Sequence, residues 1–71
     1  MIRKLVGFRI KEIRKNKGLS QEQCALNSEI DRTYLAGVES GKRNISIINL
    51  EKICKSLNIK LKDFFDSDIF K

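Results

Sequence analysis

Apolar residues recur along this chain at helical rather than strand spacing. In the first segment Ile2, Val6, Ile10 and Ile13, joined by Leu5, form one stripe at i, i+4, i+8 and i+11. Lys4, Lys11, Glu12, Arg14 and Lys15 fill the other faces, and Phe8 falls at the edge of the stripe, where partial exposure is expected. Lys15 and Lys17 put cations in the last turn, where a helix carries partial negative charge, and Gly18 supplies a left-handed stop.

Ser20 opens a short second helix over residues 21–27, and Gln23 completes a capping-box pattern. Ser28, Glu29 and Ile30 break the period. Asp31 is a fresh N-cap for a third helix from Arg32 to Glu39, which ends at Ser40 and Gly41 with Ile30, Leu35 and Val38 facing inward. After the polar loop 42–44, Ser46 caps a fourth helix with Ile47, Leu50, Ile53, Cys54 and Leu57 on one face; Asn58 takes its left-handed end. Residues 59–65 read as a last short helix with Leu61, Phe64 and Phe65 apolar, and residues 66–71 have no clear period. With no proline and no sustained alternation, the pattern predicts an all-α, compact five-helix single domain spanning residues 1–71.

Composition narrows what such a domain can do. A chain of 71 residues buries only about 60% of its unfolded surface, which leaves little room for a deep catalytic cleft. It contains no His, so His-assisted nucleophilic, acid–base or zinc chemistry is excluded. Cys24 and Cys54 match no metal or redox spacing and stand in apolar registers, as expected of buried thiols in a reducing compartment. No apolar run reaches the roughly 18 residues of a membrane span. The basic N-terminus lacks the apolar stretch of a signal peptide, so a cytoplasmic location is expected. The net charge is +6, and residues 1–43 hold ten Lys and Arg against five Asp and Glu. Residues 44–71 hold five against four, so most of the excess lies in the first three-fifths, which favours a polyanionic partner there; the alternative is a plain abundance of Lys, Ile and Asn, 25 of 71 residues.

Two short helices joined by a three-residue break suggest a helix-turn-helix over residues 20–40. Where its helices cross steeply the first needs a small residue, and Ala25 is one. Ile30 plugs the corner, while Leu35 and Val38 face the first helix. Arg32, Thr33, Ala36 and Gly37 are then left outward, where they can enter a major groove.

The runs Gly18-Leu19-Ser20-Gln21-Glu22-Gln23-Cys24-Ala25 and Asp31-Arg32-Thr33-Tyr34-Leu35-Ala36-Gly37-Val38-Glu39-Ser40-Gly41-Lys42-Arg43-Asn44 resemble the Cro/phage-repressor (Xre) helix-turn-helix proteins. The resemblance covers about residues 5–65 and includes Leu50, Leu57 and Asp63-Phe64-Phe65. Residues 31–39 and the following Arg43-Asn44-Ile45-Ser46 are most similar to controller proteins of restriction–modification systems. The resemblance implies a lambda-repressor-like domain and a small dimeric regulator binding double-stranded operator DNA of two-fold symmetry, with no cofactor, no small-molecule ligand and no enzymatic activity. It departs from the pattern at Glu29, where relatives usually have Gly. A left-handed Glu29 would cost roughly 1 kcal/mol, and a turn of another conformation is the alternative. Ser40 and Ala36 also differ from common family residues, and both can alter the sequence read.

Candidate base contacts are Arg32, able to fork onto guanine O6 and N7, Thr33, Ala36 through its methyl, and Arg43. Thr33 can equally be exposed filler, and Arg43 and Asn44 a solvated turn. Candidate phosphate contacts are Gln21 at the start of the second helix, Tyr34, Asn44 and Ser46. Ser46 is first a helix cap, and half-buried packing is an equal role for Tyr34. Arg14 and Lys17 read as contributors to a long-range positive field. Gly37 inside a helix suggests close backbone approach to DNA or to another helix. Leu61, Phe64, Phe65, Ile69 and Phe70 offer more apolar surface than a core this small needs, which points to a homodimer through residues 47–71. The reading is an autoregulatory controller of restriction–modification genes. Its alternatives are an antitoxin-type repressor, distinguished by an adjacent toxin gene, and a protein-interaction adaptor insensitive to loss of Arg32 or Arg43.

Overall fold

The structure, a computed structural model, describes residues 1–71 as α1 (Ile2–Asn16), α2 (Gln21–Ser28), α3 (Arg32–Glu39), α4 (Ile47–Ser56) and α5 (Leu61–Phe64), with a 3-10 turn at Asp68–Phe70. The all-α architecture agrees with the pattern in the sequence. The last helix is shorter than the 59–65 expected, and the region without a period holds the single 3-10 turn.

Local chemistry fixes where the helices begin. The Ser20 hydroxyl accepts from the Gln23 N–H at 3.1 Å while the Gln23 side chain accepts the Ser20 N–H at 3.1 Å, a complete capping box. The Asp31 carboxylate caps α3 through the Tyr34 N–H at 3.2 Å, and the Ser46 hydroxyl caps α4 through the Asn49 N–H at 3.1 Å.

The ends of α1 to α4 share one device. Gly18, Glu29, Gly41 and Asn58 are left-handed, with φ of 73°, 58°, 79° and 56°. At each, the N–H of the left-handed residue bonds three residues back and the following N–H five residues back. Ile30 N–H to Ala25 C=O at 3.0 Å is the second of these bonds at the helix-turn-helix corner. Glu29 therefore adopts the strained conformation that the family pattern meets with Gly, and of the two alternatives the left-handed turn is the one found.

α1 lies against α3, and α2 against α3 and α4. The core is Val6, Ile10, Ile13, Cys24, Ala25, Leu35, Val38, Leu50, Ile53, Cys54, Leu57 and Phe64. Ile47, expected on the inner face of α4, is 67% exposed: it begins that helix, before the turn that meets α2. Ile2 is likewise exposed at the free start of α1, and Phe8 is exposed at the edge of its stripe as anticipated. Burial pushes both thiols up, Cys54 to about 11, so both remain protonated and weakly nucleophilic at neutral pH.

Gly7 sets the α1–α3 distance, because a Cβ there would overlap the Val38 carbonyl oxygen, a backbone atom that cannot step aside. Gly7→Ala should lower stability by about 1–3 kcal/mol despite alanine's better helix propensity. Thermal unfolding reads this as about 4–8 °C per kcal/mol in a domain of this size. An unchanged midpoint would mean that α1 can shift away at little cost.

Candidate nucleic-acid interface

The exposed N-terminus of α3 carries Arg32 and Thr33, both reaching solvent, with Ala36 half-buried one turn later. α3 is an eight-residue helix, and a helix about 10–12 Å across fits a major groove about 12 Å wide. Lys42, Arg43 and Asn44 follow immediately after the Gly41 stop and are exposed beside the same helix. Of the expected base-contact residues, Arg32, Thr33 and Arg43 are exposed and Ala36 is half-buried.

A buried ion pair holds that surface to the rest of the fold. Arg14 of α1 donates from Nε to Glu39 Oε2 at 2.8 Å and from Nη2 to Oε1 at 3.0 Å, and Nη1 reaches the Leu19 carbonyl at 2.7 Å. Both side chains are nearly excluded from solvent. Hydrogen bonding to Glu39 holds the Arg14 guanidinium above its ordinary pKa, against the opposing effect of burial. Arg14 is thus not a source of long-range field. Its charge is consumed at the end of α3, 25 residues away in sequence. The signal was present, since Arg14 continues the Val6–Ile10 series at i+4 and so lies on the apolar stripe. A cation there needs a buried carboxylate.

Gln21 joins the same pair, donating from Nε2 to Glu39 Oε1 at 3.0 Å. Its side chain is half-buried and oriented by α3, while it still occupies the first turn of α2, where free backbone N–H groups suit a phosphate. The Tyr34 hydroxyl accepts from Asn49 Nδ2 at 3.2 Å and donates to the Asn44 carbonyl at 3.5 Å. The ring is half-buried, so Tyr34 packs as well as pointing outward. The Ser46 hydroxyl accepts the capping N–H of Asn49, which leaves its own O–H unspent and exposed.

Gly37 faces neither another helix nor open space: a Cβ on it would come within 2.7 Å of Arg43 Cγ. Arg43 in turn places its guanidinium over the Tyr34 ring, 5.6 Å from the centroid. Arg3, which the sequence pattern does not single out, lines a pocket with Arg43, Asn44 and Ile45 because α1 runs beside the end of α3. No local signal could have shown this, as the pairing is purely tertiary.

The expected dimer surface is rearranged. Phe64 is wholly buried and belongs to the protomer's own core, with its ring 5.0 Å from Phe65 and 6.1 Å from Phe70. The Phe64 carbonyl also accepts from Arg9 Nε at 2.7 Å. Phe65 remains exposed, while Leu61, Ile69 and Phe70 are half-buried.

A helix-turn-helix family model matches residues 10–64. The chain belongs to the helix-turn-helix family. Within the family, this helix-turn-helix chain is 50% identical to Control protein C.MunI of a Mycoplasma species over 92% of its own length and 88% of that protein's. It superposes on the crystal structure of the restriction–modification controller protein C.AhdI from Aeromonas hydrophila with a TM-score of 0.86 and 43% identity, covering 89% and 96% of the two chains. The controller protein C.Esp1396I, solved as a tetramer on its natural 35 base-pair operator, is 42% identical with a TM-score of 0.88, over 93% and 87%.

Glu39→Ala should leave the Arg14 charge buried without a partner and cost about 3–5 kcal/mol, enough to populate unfolded chain in so small a domain. The double replacement Arg14→Met with Glu39→Leu should regain most of that loss. Urea denaturation measures both, and a near-wild-type Glu39→Ala would show that water reaches the pair.

Proposed function

We propose that this protein is a dimeric, sequence-specific DNA-binding regulator that controls restriction–modification genes together with its own. The observation carrying this reading is the joint exposure of Arg32, Thr33, Arg43 and Asn44 around α3, on a fold whose relatives of near-equal length are controller proteins. The match to controllers also favours this reading over a toxin partner or a protein adaptor.

In the proposed complex α3 enters the major groove, with Arg32 forked onto a guanine and Thr33 against a neighbouring base edge or methyl. Ala36 adds at most a methyl contact. Arg43 reaches a second base edge from the loop beyond α3. Gln21, Asn44 and Tyr34 are the proposed phosphate contacts, Tyr34 by turning its hydroxyl away from the Asn44 carbonyl, and Arg3 adds positive charge beside Arg43. Ser46 caps α4 and so fixes the loop, with its free O–H a further proposed phosphate contact. Phe65, with the exposed parts of Leu61, Ile69 and Phe70, is the proposed self-association surface. Two copies would present two recognition helices one helical turn apart on a two-fold operator. Regulation follows from occupancy in the cytoplasm, with polymerase recruited or blocked according to where the site lies, and no reaction is assigned to the chain.

The experiment is a fluorescence-anisotropy titration on DNA from upstream of the gene, against excess random duplex at physiological salt. Binding should be about 10³-fold or more above non-specific, and Arg32→Ala should weaken it by about 1–3 kcal/mol. Sedimentation of the same sample should show a dimer at micromolar concentration. Equal affinity for random duplex, or a monomer well above micromolar, would contradict the proposal.

A further inference from the structure

Arg43 is exposed, yet its side chain is far from free. Its stem crosses Gly37 so closely that a Cβ on Gly37 would sit 2.7 Å from Cγ, and its guanidinium lies 5.6 Å from the centre of the Tyr34 ring. The main chain is tied to the same point, for the Gly37 carbonyl accepts N–H bonds from both Lys42, at 3.0 Å, and Arg43, at 3.2 Å. The Tyr34 ring is itself anchored, its hydroxyl receiving the Asn49 amide at 3.2 Å and facing the Asn44 carbonyl at 3.5 Å. Asn49 in turn is set by the Ser46 cap on its N–H.

We propose that Gly37, Tyr34 and Asn49 form a seat that holds Arg43 in its base-contacting pose before DNA arrives. The inference rests on the reading that Arg43 contacts DNA, and it assigns Gly37 a task distinct from close approach to the duplex. The physical logic is that of a cation held over an aromatic face. An aromatic face attracts the guanidinium plane and restrains it, while the N–H groups at the plane's edge stay available for a planar acceptor pair. The Arg43 guanidinium makes no hydrogen bond or ion pair within the chain, so the packing of its stem on Gly37 and its place over the Tyr34 ring are its restraints and its donors are unspent. A freely rotating arginine would lose that freedom on binding, which corresponds to a penalty of about 2- to 12-fold in affinity. A Cβ at position 37 would meet the Arg43 stem at 2.7 Å, so a larger residue pushes that stem off the helix and carries the guanidinium away from the ring. The positioning residues are thus Gly37 and Asn49, with Tyr34 between them.

The test is a cycle of wild type, Gly37→Ala, Arg43→Ala and the double variant, with Tyr34→Leu alongside. In the free protein, NMR should find the Arg43 δ-methylene protons shifted upfield by the Tyr34 ring current, and the shift should vanish in Gly37→Ala and Tyr34→Leu. Thermal midpoints should show Gly37→Ala raising stability in the Arg43→Ala background, where helix propensity acts alone, and doing so less or not at all in wild type. On upstream duplex DNA, Gly37→Ala should weaken binding about 2- to 12-fold in wild type and leave it unchanged when Arg43 is already Ala. An unshifted Arg43 methylene, or an equal Gly37→Ala loss in both backgrounds, would overturn the seat. If wild type fails to discriminate the duplex from random DNA, the DNA reading fails. The ring-current and thermal results still decide whether the seat exists.

Discussion

The ion pair between Arg14 and Glu39 is the constraint on which this fold turns. Three helices meet there: α1 supplies the guanidinium, α3 the carboxylate at its last turn, and α2 the Gln21 amide on the same oxygen. A charge pair in the interior is seldom a large net gain in stability, because desolvation cancels much of the attraction. What it provides here is geometry. A bidentate fork accepts one orientation, so the end of α3 cannot slide along α1, and the first turn of α2 cannot swing away from α3. The outward face of α3 is therefore presented at a fixed height and angle, as base-edge recognition needs.

Around that anchor, the chain reverses direction by repeating one local solution. Each of the first four helices ends on a left-handed residue whose own and following N–H groups satisfy carbonyls of the last turn. Two of these are glycines and one is asparagine, which tolerate the conformation. Glu29 does not, and it stands at the corner between α2 and α3. The strain is sustained because Ile30 is drawn against the core as a plug and because Ala25, almost fully buried, lets α3 close over α2. Local preference yields to tertiary packing at the place where the helix-turn-helix angle is defined.

Much of this was legible in residue order, and the exceptions have a common cause. Ser20, Asp31, Ser46, Gly18, Gly41 and Asn58 act within a few residues of themselves, so the end of α1, the start of α2 and the limits of α3 and α4 could be read directly. The place of Arg14 on the apolar stripe signalled a buried carboxylate partner but not which one, since Glu39 lies 25 residues on. Phe64 sat in a short apolar run where burial and exposure look alike. The burial came from the clustering of its ring with Phe65 and Phe70 and from Arg9 bonding its carbonyl. Gly37 gave a true signal, a helical glycine with a neighbour pressed against it. The neighbour is the arginine that loops back from beyond the helix end, which linear spacing does not reveal.

The central claim is that α3, the start of α2 and the loop after α3 act together as one DNA-reading surface. It is tested most directly by following backbone amide resonances of the labelled protein during titration with a duplex from upstream of the gene. The largest perturbations should fall at Gln21, at residues 32–37 and at residues 42–46, and leave the outer face of α4 and residues 65–71 little changed once the dimer is formed. Perturbations centred on α4 and the C-terminal residues, with α3 silent, would contradict the account.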